Sequence, residues 1–213
     1  MDRAAEVSAL GKVALKRFEE KHRAREVTIR AARLAIQCCA ASIRATHRGE
    51  WESATQLAAE AQGHLNSADE ATAGFPEVRS NGPLQDAKKE LAEACITLAL
   101  VRDEPLPTPD DLGVESAAYL NGMAEAASEL RREILDLLRG GNLHRAESLM
   151  AAMDDIYSVL VTVDYPDAVT AGLRRTTDAL RAVLERTRGD LTTTIVAARL
   201  QASIDAERAD RNI

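Results

Sequence analysis

One stretch in the middle of the chain combines apolar residues with a carboxylate. Residues 91–101 are apolar except at Glu93 and Thr97, and Glu90 lies one helical turn before Glu93. Burying a carboxylate among apolar side chains costs free energy unless a partner or a cation compensates the charge. The stretch therefore predicts a helix whose glutamates bind a cation or an ion-pair partner.

A second stretch, residues 117–130, is rich in small residues and also carries acids. Asn121, Glu125 and Glu129 recur there every four residues, which predicts one polar stripe along a helix face. If this helix crosses the first one, Glu125 and Glu129 meet Glu90 and Glu93. Four converging carboxylates would repel one another unless a cation lies between them.

Such a cluster favours Mg²⁺ or Mn²⁺, because these ions take carboxylate and water oxygens and leave positions open for a phosphate. A bound ion of this kind lowers the pKa of a water molecule, and a nearby glutamate can accept the water's proton. The alternative is that the glutamates form a solvated surface. The chain has 34 acidic residues, and pairs such as Glu19 and Glu20 in charged segments fit that interpretation.

Other chemistries have weaker support in the sequence. A di-iron bundle needs a Glu-x-x-His motif on each of two helices, and the chain has one match, from Glu19 to His22. No nucleophile motif G-x-S-x-G, P-loop or G-x-G-x-x-G occurs. The four histidines are scattered, so we expect them at the surface or at helix ends: His22, His47, His64 and His144.

The elements that position the glutamates are predicted to be helices throughout. Aromatic residues are 3% of the chain, and 11 glycines and 6 prolines are few for 213 residues. We predict an all-α single domain of about seven helices over residues 1–213, with a Pro-rich connector at 103–111 and a frayed tail at 209–213. The first glutamate helix should span about 84–102 and the second about 111–139.

Net charge and cysteines limit the function classes. A formal charge of −7 argues against a broadly basic surface that coats DNA. The three cysteines lie in apolar helical runs without C-x-x-C spacing, which favours free thiols, with Cys38 and Cys39 on different helix faces. No signal-peptide core and no run of membrane-spanning length occur, so we expect a cytoplasmic protein without membrane contact.

Arginines are the candidates for binding nucleic acid, because a guanidinium makes two hydrogen bonds to a phosphate. The few aromatic residues favour contact with the phosphate backbone rather than stacking on bases. The alternative is that these arginines are ordinary ion-pair partners. The predicted nucleic-acid-binding residues are Arg30, Arg33, Arg79, Arg174 and Arg175.

Four segments, taken together, resemble the translin family, which comprises translin and its partner, translin-associated factor X. The early helix of the family is similar to AREVTIRAARLAIQCCAASIRATHRGEW, and the partner's two acidic helices are similar to PLQDAKKELAEA and AYLNGMAEAASELRREI. The last long helix, in a form typical of archaeal members, resembles GLRRTTDALRAVLERTRGDL. The resemblance covers roughly residues 5–190.

The resemblance implies an all-α subunit of a hollow, often octameric shell. The partner subunit is a Mg²⁺-dependent endoribonuclease that cleaves single-stranded RNA inside the shell, whereas translin binds RNA without the full acidic set. By position, Glu93 and Glu129 match the metal ligands, and Glu90 and Glu125 match the other catalytic acids. The chain is thus expected to be a Mg²⁺- or Mn²⁺-dependent endoribonuclease.

Two departures from the family pattern bear on this expectation. The family's third acid is commonly aspartate, whereas Glu125 is one methylene longer, which implies weaker activity or a preference for Mn²⁺. The basic segment before the first acid pair is thin, with Arg79 as its main remnant, so other arginines would carry RNA affinity.

Two alternatives remain open at this point. The chain could be a non-catalytic scaffold that binds single-stranded RNA or DNA, as translin does, or a helical oligomer with only protein partners. A homo-oligomer is also expected from the helix over 27–45, whose apolar residues form two faces and need partners on two sides.

Overall fold

Helices account for all the regular structure in the computed structural model, which describes residues 2–80 and 82–211. In chain order, they are α1 (Arg3–His47), α2 (Trp51–Ala71), α3 (Pro76–Arg79), α4 (Gly82–Arg102), α5 (Pro109–Leu112), α6 (Ser116–Arg139), α7 (Leu143–Leu160), α8 (Asp167–Thr170) and α9 (Leu173–Arg211). Six are long and three have four residues each, and no strand occurs within the described ranges. The predicted all-α fold is confirmed.

The predicted second glutamate helix begins later than the sequence pattern suggested. Thr108 and Asp111 form a capping box that starts the short helix α5, and Gly113 ends it in a left-handed conformation at φ 61°. Helix α6 then starts at Ser116. The last residues of the Pro-rich connector 103–111 are thus helical.

The predicted tail is helical as far as it is described. Helix α9 continues through residues 209–211, and residues 212 and 213 lie outside the described residues. No described helix combines the length and the apolar character that crossing a membrane would require.

Helices α4 and α6 lie at the centre of the fold. Helix α4 packs against α1 and α2 and, on another side, against α6, which in turn packs against α7 and α9. The apolar core has two main parts: one joins α1, α2 and α4, and the other joins α6, α7 and α9. The α4–α6 contact connects the two parts, and both glutamate pairs lie on these helices.

A glycine determines how closely α4 and α6 approach. A Cβ atom at Gly122 would lie 2.5 Å from the carbonyl oxygen of Lys89, 2.8 Å from Cβ of Ala92 and 2.9 Å from the amide nitrogen of Glu93. Only a residue without a side chain fits at this crossing. Because Glu93 is part of the contact and Glu125 follows Gly122 by one turn, the crossing brings the two acidic helix faces together.

The first half of α1 and the end of α9 extend beyond this core. Large apolar side chains are exposed on both, at Val7, Leu10, Val13, Leu15 and Phe18 in α1 and at Val196, Leu200 and Ile204 in α9. In the second half of α1, one face is buried against α2 and α4, while Val27 and Leu34 remain exposed at 46% and 38%. The two apolar faces predicted for residues 27–45 are therefore only partly covered by the rest of the chain.

Candidate metal centre and nucleic-acid cleft

Three glutamates from two helices converge at the α4–α6 crossing. Glu90 and Glu93 extend from α4 and Glu125 from α6, and each offers a carboxylate oxygen within 4.8 Å of the others. Glu93 is 9% exposed, whereas Glu90 and Glu125 are half-buried. These three acids therefore do not form a solvated surface, which was the alternative interpretation of the sequence.

A lysine that the sequence analysis did not single out belongs to the same cluster. The Nζ atom of Lys89 lies 2.7 Å and 2.8 Å from the two carboxylate oxygens of Glu125, and 3.6 Å from a carboxylate oxygen of Glu90. Lys89 occurs one turn before Glu93, on the same face of α4, which was the available signal. Its ammonium group compensates part of the charge of the three acids.

The environment raises the pKa of the acids on α4. Burial, followed by repulsion from Glu90, Glu125 and Glu129, raises the pKa of Glu93 to about 8, and Lys89 offsets only part of this. Burial also raises the pKa of Glu90, although the Lys89 charge acts in the opposite direction. Three carboxylates facing one ammonium group therefore leave an excess of negative charge that a divalent cation would neutralise.

Glu129, the fourth predicted acid, has a different partner. Its Oε2 atom lies 2.8 Å from Nε2 of His47, the last residue of α1. It lies outside the group of three acids whose oxygens are within 4.8 Å of one another, although its charge still acts on the pKa of Glu93. The assignment of Glu129 as a metal ligand stays a prediction.

His47 was expected at the surface or at a helix end, and it is a buried helix-end residue. Its side chain is 2% exposed, and Nδ1 is buried without a hydrogen-bond partner among the described residues. Because a carboxylate only accepts hydrogen bonds, Nε2 donates to Glu129. Position 47 follows Ile36, Ala40 and Ile43 at helical spacing, along the half-buried edge of the core face of α1, and this periodicity was the signal for its burial.

Asn121, at the start of the predicted polar stripe, is structural rather than part of the acid cluster. Its amide nitrogen donates to the carbonyl oxygens of Ala117 and Thr170, and its amide oxygen accepts from the hydroxyl of Thr176. The side chain is 4% exposed. These hydrogen bonds fix α8 and the start of α9 beside α6, next to Glu125.

The donor set fits a hard divalent cation. All three converging groups are carboxylates, the ligand type that Mg²⁺ and Mn²⁺ prefer, and Lys89 alone among the described lysines balances part of their charge. Thr97 lies one turn beyond Glu93, and its buried hydroxyl has no hydrogen-bond partner among the described side chains. The residues present therefore fit such an ion, and Glu90, Glu93 and Glu125 are the carboxylates that the geometry brings together.

A cleft of about 450 Å³ opens beside this cluster. Lys89 and Glu125 line one side, and residues of α8 and the start of α9 line the other, including Arg175. Arg175 is exposed and makes no ion pair with a described residue. A free guanidinium across a cleft from an acidic cluster can bind a phosphate group next to a cation.

Of the five predicted arginines, only Arg175 lines the cleft that contains Glu125. Arg174 faces a different depression and lies 3.5 Å from Asp164, and Arg79 lies 3.3 Å from Asp69. Arg30 and Arg33 are exposed on α1, where Arg30 lines a depression together with residues of α1 and α2. The structure thus does not gather the predicted arginines into one surface.

No protein-family model matches the chain. A sequence relative, the uncharacterized protein MJ0175 of Methanocaldococcus jannaschii, is 31% identical over 186 residues, which cover 85% of this chain and 81% of the relative.

Solved structures that share the fold include two of AfC3PO and one of NeC3PO. A structure of AfC3PO in complex with duplex RNA has a TM-score of 0.81 and 34% identity and covers 87% of this chain and 96% of its own. A crystal structure of AfC3PO has a TM-score of 0.80 and 32% identity, and the match covers 87% of this chain and 97% of the AfC3PO chain. A crystal structure of apo-NeC3PO has a TM-score of 0.70, and the match covers 88% of this chain and 96% of the NeC3PO chain. Because its sequence identity is only 20%, this structure supports the fold alone. With this identity over nearly the whole of the AfC3PO chain, and with the predicted helices and acids in the predicted order, the chain belongs to the translin family, of the translin/Trax type that the C3PO proteins represent.

Proposed function

We propose that this protein is a metal-dependent endoribonuclease that cleaves single-stranded RNA with Mg²⁺ or Mn²⁺. The observation that carries the proposal is the convergence of Glu90, Glu93 and Glu125 within 4.8 Å of one another beside a cleft that Arg175 lines. An RNA partner is supported by the similarity to AfC3PO, a structure of which contains duplex RNA.

Each side chain of the cluster has a distinct part in this proposal. Glu93 is the most buried of the acids and would hold the ion together with Glu90 and Glu125. When bound, a divalent ion there supplies charge stabilisation for the phosphodiester and lowers the pKa of a water molecule. Glu90 is half-buried, and a carboxylate oxygen that does not contact the ion can accept a proton from that water molecule.

Two cationic side chains would bind and orient the substrate. Arg175, on the other side of the cleft, donates hydrogen bonds to a phosphate group of the RNA backbone. A cation in the cluster would compete with Lys89 for Glu125, and the released ammonium group of Lys89 could then contact the phosphate. Both contacts are to the backbone, so we expect weak sequence preference.

The test is cleavage of end-labelled RNA by the purified protein in Mn²⁺, Mg²⁺ or excess EDTA. We expect Mn²⁺- or Mg²⁺-dependent cleavage that Glu93→Gln and Glu125→Gln abolish. Glu147→Gln, at an exposed glutamate on α7, is the matched control and should cleave as the unaltered protein does. Full activity in EDTA or in both cluster variants would contradict the proposal. Single-stranded and duplex RNA of the same sequence, compared in parallel, identify the preferred strandedness.

A second candidate function is a non-catalytic scaffold that binds RNA. The observation that favours it is the contact of Lys89 with Glu125 at 2.7 Å, because a lysine at an acidic cluster can replace a metal ion. The acids would then be structural, and arginines would supply the affinity. Salt-sensitive RNA binding without cleavage in Mn²⁺ is the expected result for this function.

Lys89→Gln separates the two functions. If the cluster is a metal centre, removal of the competing ammonium group should tighten Mn²⁺ binding, measured by calorimetry, and lower the stability of the metal-free protein. If the cluster is structural, neither the variant nor the unaltered protein should bind Mn²⁺ at this site. The comparison uses Lys12→Gln, at an exposed lysine of α1, as its control.

We also propose that the protein forms a homo-oligomer, with the octamer expected from the family resemblance. This is supported by the apolar residues exposed on the first half of α1 and the end of α9, because exposed apolar side chains at helical spacing form contacts between subunits. Analytical ultracentrifugation tests it. A monomer at micromolar concentration would contradict the proposal.

A further inference from the structure

We propose that Cys38, Glu60 and His64 form a second metal site, which binds Zn²⁺ between α1 and α2. The Sγ atom of Cys38, a carboxylate oxygen of Glu60 and a ring nitrogen of His64 lie within 4.8 Å of one another. The site is built from different residues than the glutamate cluster and does not depend on the proposed nuclease function.

The two helices hold the three side chains in a fixed relation. Glu60 and His64 are four residues apart on α2, so both extend from the same helix face, and Nε2 of His64 lies 3.9 Å from a carboxylate oxygen of Glu60. Cys38 faces them from α1, which packs along the length of α2. Two ligands on one helix and a third on its neighbour bring the three donors within reach of a single ion.

Cys38 packs against the edge of the apolar core, whereas its neighbour Cys39 lies inside it. The adjacent Cys39 is fully buried and belongs to the apolar cluster between α1, α2 and α4. Cys38 is only half-buried and lies on a different face of the helix, as the sequence predicted. Its thiol is therefore reachable by an ion from solvent, whereas the thiol of Cys39 is not.

The donor types indicate which metal binds. Zn²⁺ takes thiolate sulfur, imidazole nitrogen and carboxylate oxygen, whereas Mg²⁺ and Mn²⁺ prefer an all-oxygen set. Zinc–ligand bonds of about 2.0–2.3 Å place neighbouring donors roughly 3.3–3.8 Å apart in a tetrahedron. The three donors here lie within 4.8 Å of one another, so side-chain rotations that move the donor atoms by about 1 Å bring them to the spacing of a tetrahedral site.

Three protein ligands leave a fourth position for water. The side chains of His64 and Glu60 are 30% and 56% exposed, so the site opens toward solvent. His64 also lines a depression of about 350 Å³ between α1 and α2, which gives an ion a path to the site. A bound ion would connect the middle of α1 to α2 and stabilise that helix pair.

Cobalt spectroscopy of the reduced, metal-free protein tests the site directly. Co²⁺ replaces Zn²⁺ in tetrahedral sites, and a thiolate ligand gives an ultraviolet charge-transfer band in addition to visible d–d bands. We expect both sets of bands to saturate near one equivalent per chain and to disappear when Zn²⁺ is added. Absence of the charge-transfer band from the unaltered protein would overturn the proposal.

Variants identify the ligands. Cys38→Ser should abolish the charge-transfer band, and His64→Gln should weaken Co²⁺ binding at least about tenfold. His144→Gln, at an exposed histidine, and Cys95→Ser, which removes another thiol, are the matched controls. Glu93→Gln tests whether the bands come from Co²⁺ bound at the glutamate cluster instead. A band that persists in Cys38→Ser, or that Glu93→Gln removes, would contradict the assignment.

A second measurement needs no substitution at the site. Zn²⁺ bound to Cys38 should slow alkylation of that thiol in the unaltered protein at least about tenfold, as peptide mass spectrometry measures it. Mg²⁺ at the same concentration is the control and should have no effect. Equal alkylation of Cys38 with and without Zn²⁺ would overturn the proposal even if Cys38→Ser fails to fold.

Discussion

Nε2 of His47 lies 2.8 Å from Oε2 of Glu129, so the last residue of α1 fixes the orientation of a carboxylate in the middle of α6. The imidazole is almost fully buried and Glu129 is 38% exposed on its side chain. The histidine therefore connects the α1–α2 side of the fold to the helix that carries Glu125. A buried hydrogen bond to a charged group makes a larger contribution to stability than one between neutral groups.

His47→Ala should lower the free energy of unfolding by about 2 kcal/mol, because it removes this hydrogen bond and leaves a cavity. His47→Gln retains a donor and should recover part of the loss. Urea denaturation measures the stability, and calorimetric titration with Mn²⁺ measures whether a freely moving Glu129 weakens metal binding. If His47→Ala binds Mn²⁺ as the unaltered protein does, the orientation that His47 gives to Glu129 does not affect the metal site.

The stability of the metal-free protein should fall as the pH rises from about 5 to 8. The pKa of Glu93 is about 8 in the folded protein and 4.5 in the reference state, so the native state holds more protons than the unfolded state between these values. The stabilisation is fully present below pH 4.5 and is lost as the pH passes 8. Its size should be on the order of a few kcal/mol, since each pKa unit corresponds to about 1.4 kcal/mol.

Denaturation in EDTA at several pH values checks this expectation. Glu93→Gln should strongly reduce the slope of unfolding free energy against pH. The slope that remains should have the same sign, because the pKa of Glu90 is also raised. Mn²⁺ should stabilise the protein more at pH 8 than at pH 5, because it binds the ionised carboxylates. An unchanged slope in Glu93→Gln would mean that another group causes the pH dependence.

Gly122→Ala should separate α4 from α6. The added Cβ would lie 2.5 Å from a backbone carbonyl oxygen of α4, and backbone cannot rotate away as a side chain can. We expect a loss of about 1–3 kcal/mol in the free energy of unfolding, together with weaker Mn²⁺ binding, since the acids on the two helices move apart.

Gly63→Ala is the matched control for this substitution. Gly63 lies within α2, and a Cβ atom added there would meet no side chain or neighbouring helix of the described residues within 4 Å. Alanine should therefore stabilise the protein by about 0.5–1 kcal/mol through helix propensity. Equal effects of the two substitutions would show that the α4–α6 approach does not depend on Gly122.

Much of the fold could be predicted because local signals determine it. Helix α2 and the end of α4 follow from helix-forming composition between glycine and proline breaks, and the burial of Glu93 follows from the apolar residues around it. The start of α6 was missed because the left-handed Gly113 is not distinguishable from a helix-interior glycine by sequence pattern alone.

The partners within the site could not be predicted in the same way. Lys89 and His47 contact acids that are 36 and 82 residues away in the chain, and such contacts depend on how whole helices pack. Lys89 belongs to a charged pair of lysines that resembles a solvated surface, although Lys88 is itself 1% exposed and contacts Asp69. Gly122 lies in a stretch of small residues, where nothing local shows that one of them must lack a side chain.

Arg175 and Arg174 are adjacent in the chain but should differ in their effect on RNA binding. Arg175 lines the cleft beside Glu125, whereas Arg174 faces another depression and pairs with Asp164. If RNA lies in the cleft, Arg175→Gln should weaken binding severalfold and reduce the dependence of log K on log salt by about one unit, as expected for one lost phosphate contact. Arg174→Gln should have a much smaller effect.

Fluorescence anisotropy with a labelled single-stranded RNA at several salt concentrations measures the affinity and its salt dependence. Both variants are made in the Glu93→Gln protein, so that the RNA is not cleaved during the titration. Because the two variants carry the same charge change at neighbouring positions, a general electrostatic effect of the protein surface would weaken binding equally in both. Equal losses would therefore contradict the cleft as the RNA site, and a larger loss for Arg174→Gln would move the site to the depression that contains Asp164. A selective loss for Arg175→Gln would place a backbone phosphate beside the carboxylates of Glu90, Glu93 and Glu125, where the proposed cleavage requires it.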